Sequence, residues 1–218
     1  MSKSDRSETG ILEKYRVSIK NTGEQPEISS TMAEYGYDAT EMANGQALLD
    51  NATTAYASNK TEGDEKSEAH DVFIRNRKQL DGIFTKHRKA ARIVLKNDQL
   101  TLSKLGVTGE KPGAYANWLE TIRKFYSEAT TDTEVQSKLV RLKVTPEELT
   151  SAQALIEVVG ASRAAYLKEK GESQEATAIK DAALSEIDKW MSEFYAVARI
   201  AMEDKPQLLE ALGIIVRS

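Results

Sequence analysis

A chain of 218 residues with 40% apolar and 29% charged side chains is long enough to bury a core. Its net charge of −4 gives no general attraction to nucleic acid or to an anionic membrane. The absence of cysteine excludes disulfides, thiolate metal sites and cysteine nucleophiles.

No apolar run approaches the roughly 18 to 20 residues that span a bilayer. The polar start "MSKSDRSETG" lacks the apolar centre of a secretory signal, so the cytoplasm is the expected compartment. Ala, Glu, Lys and Leu dominate, and the apolar residues recur at helical spacing, which predicts an all-α fold.

Sliding the chain by 107 positions aligns Ile11–Val107 with Trp118–Ile214 without a gap, and about one position in five is identical. Leu12, Glu13 and Arg16 fall on Leu119, Glu120 and Arg123; "QALLD" falls on "QALIE"; "ARI" at Ala91 falls on "ARI" at Ala198. The expected organisation is therefore a helical repeat over 11–107, a linker and the start of the next helix over 108–117, and a second repeat over 118–214, packed as one bundle.

In the first repeat Asp38 is the expected N-cap of a long helix, whose apolar stripe continues through Val72, Leu80, Ile83, His87, Ala90 and Val94. "TGEKPG", Thr108 to Gly113, reads as the linker. The second repeat opens with a helix over roughly Tyr115 to Ala129, with Trp118, Leu119, Ile122, Phe125 and Tyr126 on one side. A short helix follows, with Thr131 as the expected N-cap and Glu134 completing a capping box. "VTPEEL" is a stronger start signal, with Thr145 at N-cap, Pro146 at N1 and Glu148 at N3. Ala183, Ile187, Trp190, Phe194 and Val197 carry the last long stripe, and Gly213 closes a terminal turn.

"KTEGDEKS" and "KEKGESQ" allow two readings. Gly63 and Gly171 can end one helix and turn the chain back, giving two hairpins and a four-helix-bundle-like fold with short additional helices. Alternatively, each segment lies within one very long helix, and two such helices pair as a coiled coil. Ser162, Glu169, Ser173 and Lys180 in the seam of the long helix favour the hairpin.

Few residues carry chemistry. Neither His70 nor His87 sits in a Glu-x-x-His pattern, so no di-metal site is expected, and His87 reads as a side chain packed at the rim of the bundle. No glycine-rich phosphate loop and no nucleophile–base setting occur, so no cofactor and no catalytic residue are assigned. Arg92 and Arg199 sit inside matching apolar runs. They read either as a pair gripping an anionic ligand, or as structural ion pairs with recurring acids such as Glu41/Glu148 or Glu65/Glu172, the second being favoured. Gln46 and Gln153 read as polar groups bridging helices.

The two repeats differ most in charge. Asp71 to Asp98 carries eight Lys/Arg against three acids, and its counterpart, Ala178 to Lys205, carries four against six.

The stretches "GESQEAT" and "KWMSEFYAVARIAMEDKPQLLEALGI", with the ending "VRS", resemble a group of uncharacterised bacterial all-helical proteins. The resemblance covers mainly residues 142–218 and extends more weakly to the first repeat. It implies a bacterial origin and a helical fold, and no activity, cofactor or site residue.

The expectation for function is a non-enzymatic structural or protein-interaction bundle that binds another protein or itself. One rival is a small-molecule (anion) binder or enzyme with a pocket between the repeats, using Arg92 and Arg199 with Trp118 or Trp190. The other is nucleic-acid or anionic-surface binding through the basic helix over 75–96, made less attractive by the scarcity of interleaved aromatics.

Overall fold

In the computed structural model, which describes residues 7–216, every regular element is an α-helix. Residues 1–6 and the end of the "VRS" tail, Arg217 and Ser218, lie outside the described residues. The chain order is α1 (Glu8–Glu24), α2 (Pro26–Glu34), α3 (Ala39–Val94), α4 (Gln99–Lys104), α5 (Tyr115–Thr131), α6 (Thr133–Val140), α7 (Pro146–Ala201) and α8 (Leu208–Ala211). No described helix is long and apolar enough to cross a membrane.

Local chemistry sets most boundaries. Asp38 Oδ1 accepts from the Thr40 and Glu41 amides at 2.9 and 3.0 Å, as an N-cap should. Thr145 and Glu148 form the reciprocal capping box ahead of α7, both bonds at 3.3 Å. The cap of α6 is one residue later than expected. Thr131 is the last residue of α5, and Asp132 accepts from the Glu134 and Val135 amides, each at 3.0 Å. A carboxylate is the stronger acceptor for two amides at once, which explains the shift.

The two hairpins expected at Gly63 and Gly171 do not form; α3 and α7 each run unbroken for 56 residues. An isolated glycine costs a helix only about 1 kcal/mol relative to alanine, and good helix formers flank both sites. The polar seam is also tolerated because its members find partners of their own. Ser162 donates to the Val159 carbonyl at 3.1 Å, and Lys180 holds Glu8 at 2.5 Å and Asp181 at 3.2 Å. The chain instead reverses in the left-handed region at Gly36, Gly106, Gly109, Lys143 and Gly213.

The residues form two compact units, dividing at Asp64/Glu65 and Gly171/Glu172. The first unit takes α1, α2 and the start of α3, with the end of α7 and α8. Ile28, Met32, Leu49, Ile187, Phe194 and Leu212 are among its core residues. The other unit takes the end of α3, α4, α5, α6 and the start of α7. Leu80, Phe84, Ile122, Phe125, Leu139 and Leu149 lie in its core. Within each unit the α3 and α7 segments run antiparallel, as the pairings Glu41–Trp190 and Asn59–Thr177 show for the first.

Two stripe assignments change. Val72 is exposed, and Phe73 takes the inward position beside it. His87 is not at a rim. It is 6% exposed, with Nδ1 3.1 Å from the Tyr126 hydroxyl. Its counterpart Phe194 is also buried, so the position is inward in both units and the imidazole finds its partner there.

Candidate functional site

The region richest in exposed features is the end of α3 and the turn between α6 and α7, all within the unit Glu65–Gly171. Ile93 to Asp98, Lys138, Arg141 and Leu142 line a groove of about 480 Å³. Ile93 (53% exposed) and Leu142 (42% exposed) form its apolar walls, and Leu100 and Val140 are exposed nearby in sequence. Leu142 stands in water because α6 ends at Val140 and Lys143 turns the chain with φ 62°, returning Val144 to the core.

The groove is basic at its rim. Asp98 is engaged as the N-cap of α4, accepting from the Thr101 amide at 3.0 Å and its hydroxyl at 2.7 Å. Those bonds hold the Asp98 carboxyl below the usual carboxylate range. Lys138 pairs with Glu134 at 2.6 Å. Lys96 and Arg141 have no carboxylate partner among the described residues.

Lys96 is exposed in the turn that follows α3, and leading up to it Arg75, Lys78, Lys86 and Lys89 are exposed on the helix itself. At about 100° per residue they fall within a sector of roughly 80°. Val72 to Asn97 holds one acid, Asp81, and it points elsewhere, accepting from Lys111 and from the Trp118 indole, each at 2.7 Å.

Arg92 and Arg199 belong to different compact units, and both are exposed. Arg199 donates to the Tyr195 carbonyl one turn back at 3.1 Å. Two of the acids expected to pair with them are engaged elsewhere: Glu41 accepts from Trp190 Nε1 at 2.5 Å, and Glu148 completes the α7 cap. Gln46 does not bridge helices either. It is exposed and donates to Asp50 on its own helix at 2.8 Å, and Gln153 is exposed as well.

Two other titratable groups are held by their own neighbours. Burial raises the Asp81 carboxyl, but the Lys111 and Trp118 hydrogen bonds, with Arg77 nearby, bring it below its ordinary value. Desolvation lowers His87, so the ring is neutral where an exposed histidine would begin to charge. Trp118 and Trp190, offered as pocket aromatics, serve as donors to Asp81 and Glu41.

The basic run was visible in the sequence. Leu142 and Arg141 were not, because a short "VRLKV" segment reads as continuation of a helix until the turn at Lys143 is placed. No protein-family model matches the chain, nor does any characterised protein or solved structure.

Proposed function

We propose that this is a non-enzymatic interaction protein built by duplication of one helical module. The helix bounds support the duplication. α1 and α5 are both 17 residues and start 107 apart, and α3 and α7 are both 56 residues and start 107 apart.

The observation that carries the interaction role is a repeated exposure. Ile93 and Ile200, Tyr35 and Leu142, and Val72 and Ile179 are equivalent at the same offset, and each stands 42% or more in water. Large apolar side chains held in solvent at matching places are available for a partner to cover. Meanwhile its buried polar groups bond to one another, as in Tyr195 to Ser18 (2.7 Å), Ser18 to the Leu212 carbonyl (2.8 Å), and Tyr126 to His87. That arrangement suits a scaffold.

Native purification followed by reconstitution with the purified partner tests this reading. A stoichiometric complex of the two pure proteins is the expected result. A metabolite-library thermal-shift screen that finds a small molecule raising the melting temperature by several degrees would overturn it in favour of a ligand-binding role.

A further inference from the structure

We infer that the basic face of α3 from Arg75 to Lys89, with Lys96 and the groove beyond the helix end, docks an acidic amphipathic helix of a partner protein. This rests on the interaction reading above and names one surface and the chemistry of its partner.

The two halves of the molecule supply an internal control. Arg75, Lys78, Lys86 and Lys89 correspond at the 107 offset to Ala182, Ser185, Glu193 and Ala196 on α7, and Lys96 corresponds to Glu203, each in the turn after its helix. All ten residues are exposed. The same setting therefore accepts alanine, serine or glutamate at every one of these positions, and the fold does not require the five cations. Only Lys189, opposite Gly82, is basic on that face of α7.

The geometry favours a helix over other anions. The four cations on α3, Arg75 to Lys89, span about 21 Å of helix axis at 1.5 Å per residue, a straight track that carboxylates at i, i+3 and i+4 spacing can follow, and Lys96 stands in the turn beyond it. At its end the track meets a concave, part-apolar groove walled by Ile93 and Leu142. A flat lipid surface does not fill a concavity, and a nucleic-acid backbone has no apolar side chain to place there. A helix carrying acids on one stripe and a leucine or phenylalanine on the next satisfies both features.

The test uses the full chain and a fluorescently labelled, hydrocarbon-stapled peptide with glutamates along one stripe and leucines on the adjacent one. The controls are a scrambled peptide of the same composition, phosphatidylserine vesicles and a DNA duplex. The main variant replaces the five cations by their own counterparts, R75A/K78S/K86E/K89A/K96E. The smaller variants are K86E/K89A for the track, and Ile93→Ser and Leu142→Ser for the groove.

The patterned peptide is expected to bind, and the five-site variant to weaken it by at least about tenfold, as several rim charges acting together should. The groove variants should weaken it independently, with thermal melting unchanged in all of them. Equal binding of the scrambled peptide, or full binding by the five-site variant, would overturn the proposal. So would binding of vesicles or duplex without the peptide, or self-association through this face in sedimentation. A reconstituted partner that binds while the five-site and groove variants leave it untouched sinks this surface but leaves the interaction role standing.

Discussion

The Trp118 indole donates to the Asp81 carboxylate at 2.7 Å, joining a helix of the second repeat to one of the first. The equivalent acid, Asp188, accepts from the Tyr15 hydroxyl at 2.8 Å, joining the second repeat's long helix to the first repeat's opening one. The two donors differ in type and sit one helical turn apart in register, since Trp118 corresponds to Ile11. What recurs is the acid and its task.

These two bonds should differ in worth. Trp118 is 2% exposed, so Asp81→Ala strands a buried N–H and costs about 1–3 kcal/mol. Tyr15 is half-buried and can turn to water, so Asp188→Ala should cost less than about 1 kcal/mol. Because the Asp81 carboxyl lies below its ordinary value, its contribution is present above the unfolded carboxylate range and fades as pH falls through the folded value. Urea unfolding of both variants at neutral pH checks the order, and equal losses would contradict it.

Glycine-to-alanine changes should split in sign. Gly63 and Gly171 lie inside helices with nothing within 4 Å of an added Cβ, so each alanine should stabilise by roughly 0.5–1 kcal/mol. Gly45 is also helical, but an added Cβ would run into the Trp190 ring. Gly45→Ala should therefore destabilise, moving Trp190 off Glu41. Melting temperatures rising by a few degrees for the first two and falling for the third are expected.

Lys143 turns the chain with φ 62°, where the first repeat has Gly36 at φ 92°. The left-handed region costs a side-chain-bearing residue about 1–2 kcal/mol, offset in part by glycine's larger entropy loss. Lys143→Gly should thus stabilise by roughly 0.5–1 kcal/mol, and Gly36→Ala should destabilise by a similar amount. Chemical denaturation decides it; a lower midpoint for Lys143→Gly would show that its side chain does more than turn the chain.

His87 should give the protein an acid-sensitive limb. Desolvation lowers its folded value, with Lys86 adding to the effect and Glu148 opposing it. The unfolded chain therefore takes the proton first. Stability is full above about pH 6.5, falls as pH drops below it, and levels off once the folded imidazole also charges. Replacing His87 by phenylalanine alone would strand the Tyr126 hydroxyl, so the informative variant is H87F/Y126F. Its stability should lose that pH dependence below about pH 6.5; a retained slope would place the effect elsewhere.

The helical class, the N-caps at Asp38 and Thr145, the matching glycines at 106 and 213, and the 107-residue offset are all legible in the chain, because capping and amphipathic spacing are local properties. The exposed basic run of α3 is legible for the same reason. The course of the chain at Gly63 and Gly171 is not. A glycine shifts the choice between turning and continuing by about 1 kcal/mol, and packing outweighs that. Once both helices continue, each unit is assembled from a part of each of them, and Asp81 meets Trp118 across 37 positions while Asp188 meets Tyr15 across 173. The exposed Leu142 beside Ile93 likewise exists only after Lys143 has turned the chain. Local propensity wrote the helices; which faces they bury against was decided by the long-range burial of apolar surface, which acts on the whole chain at once.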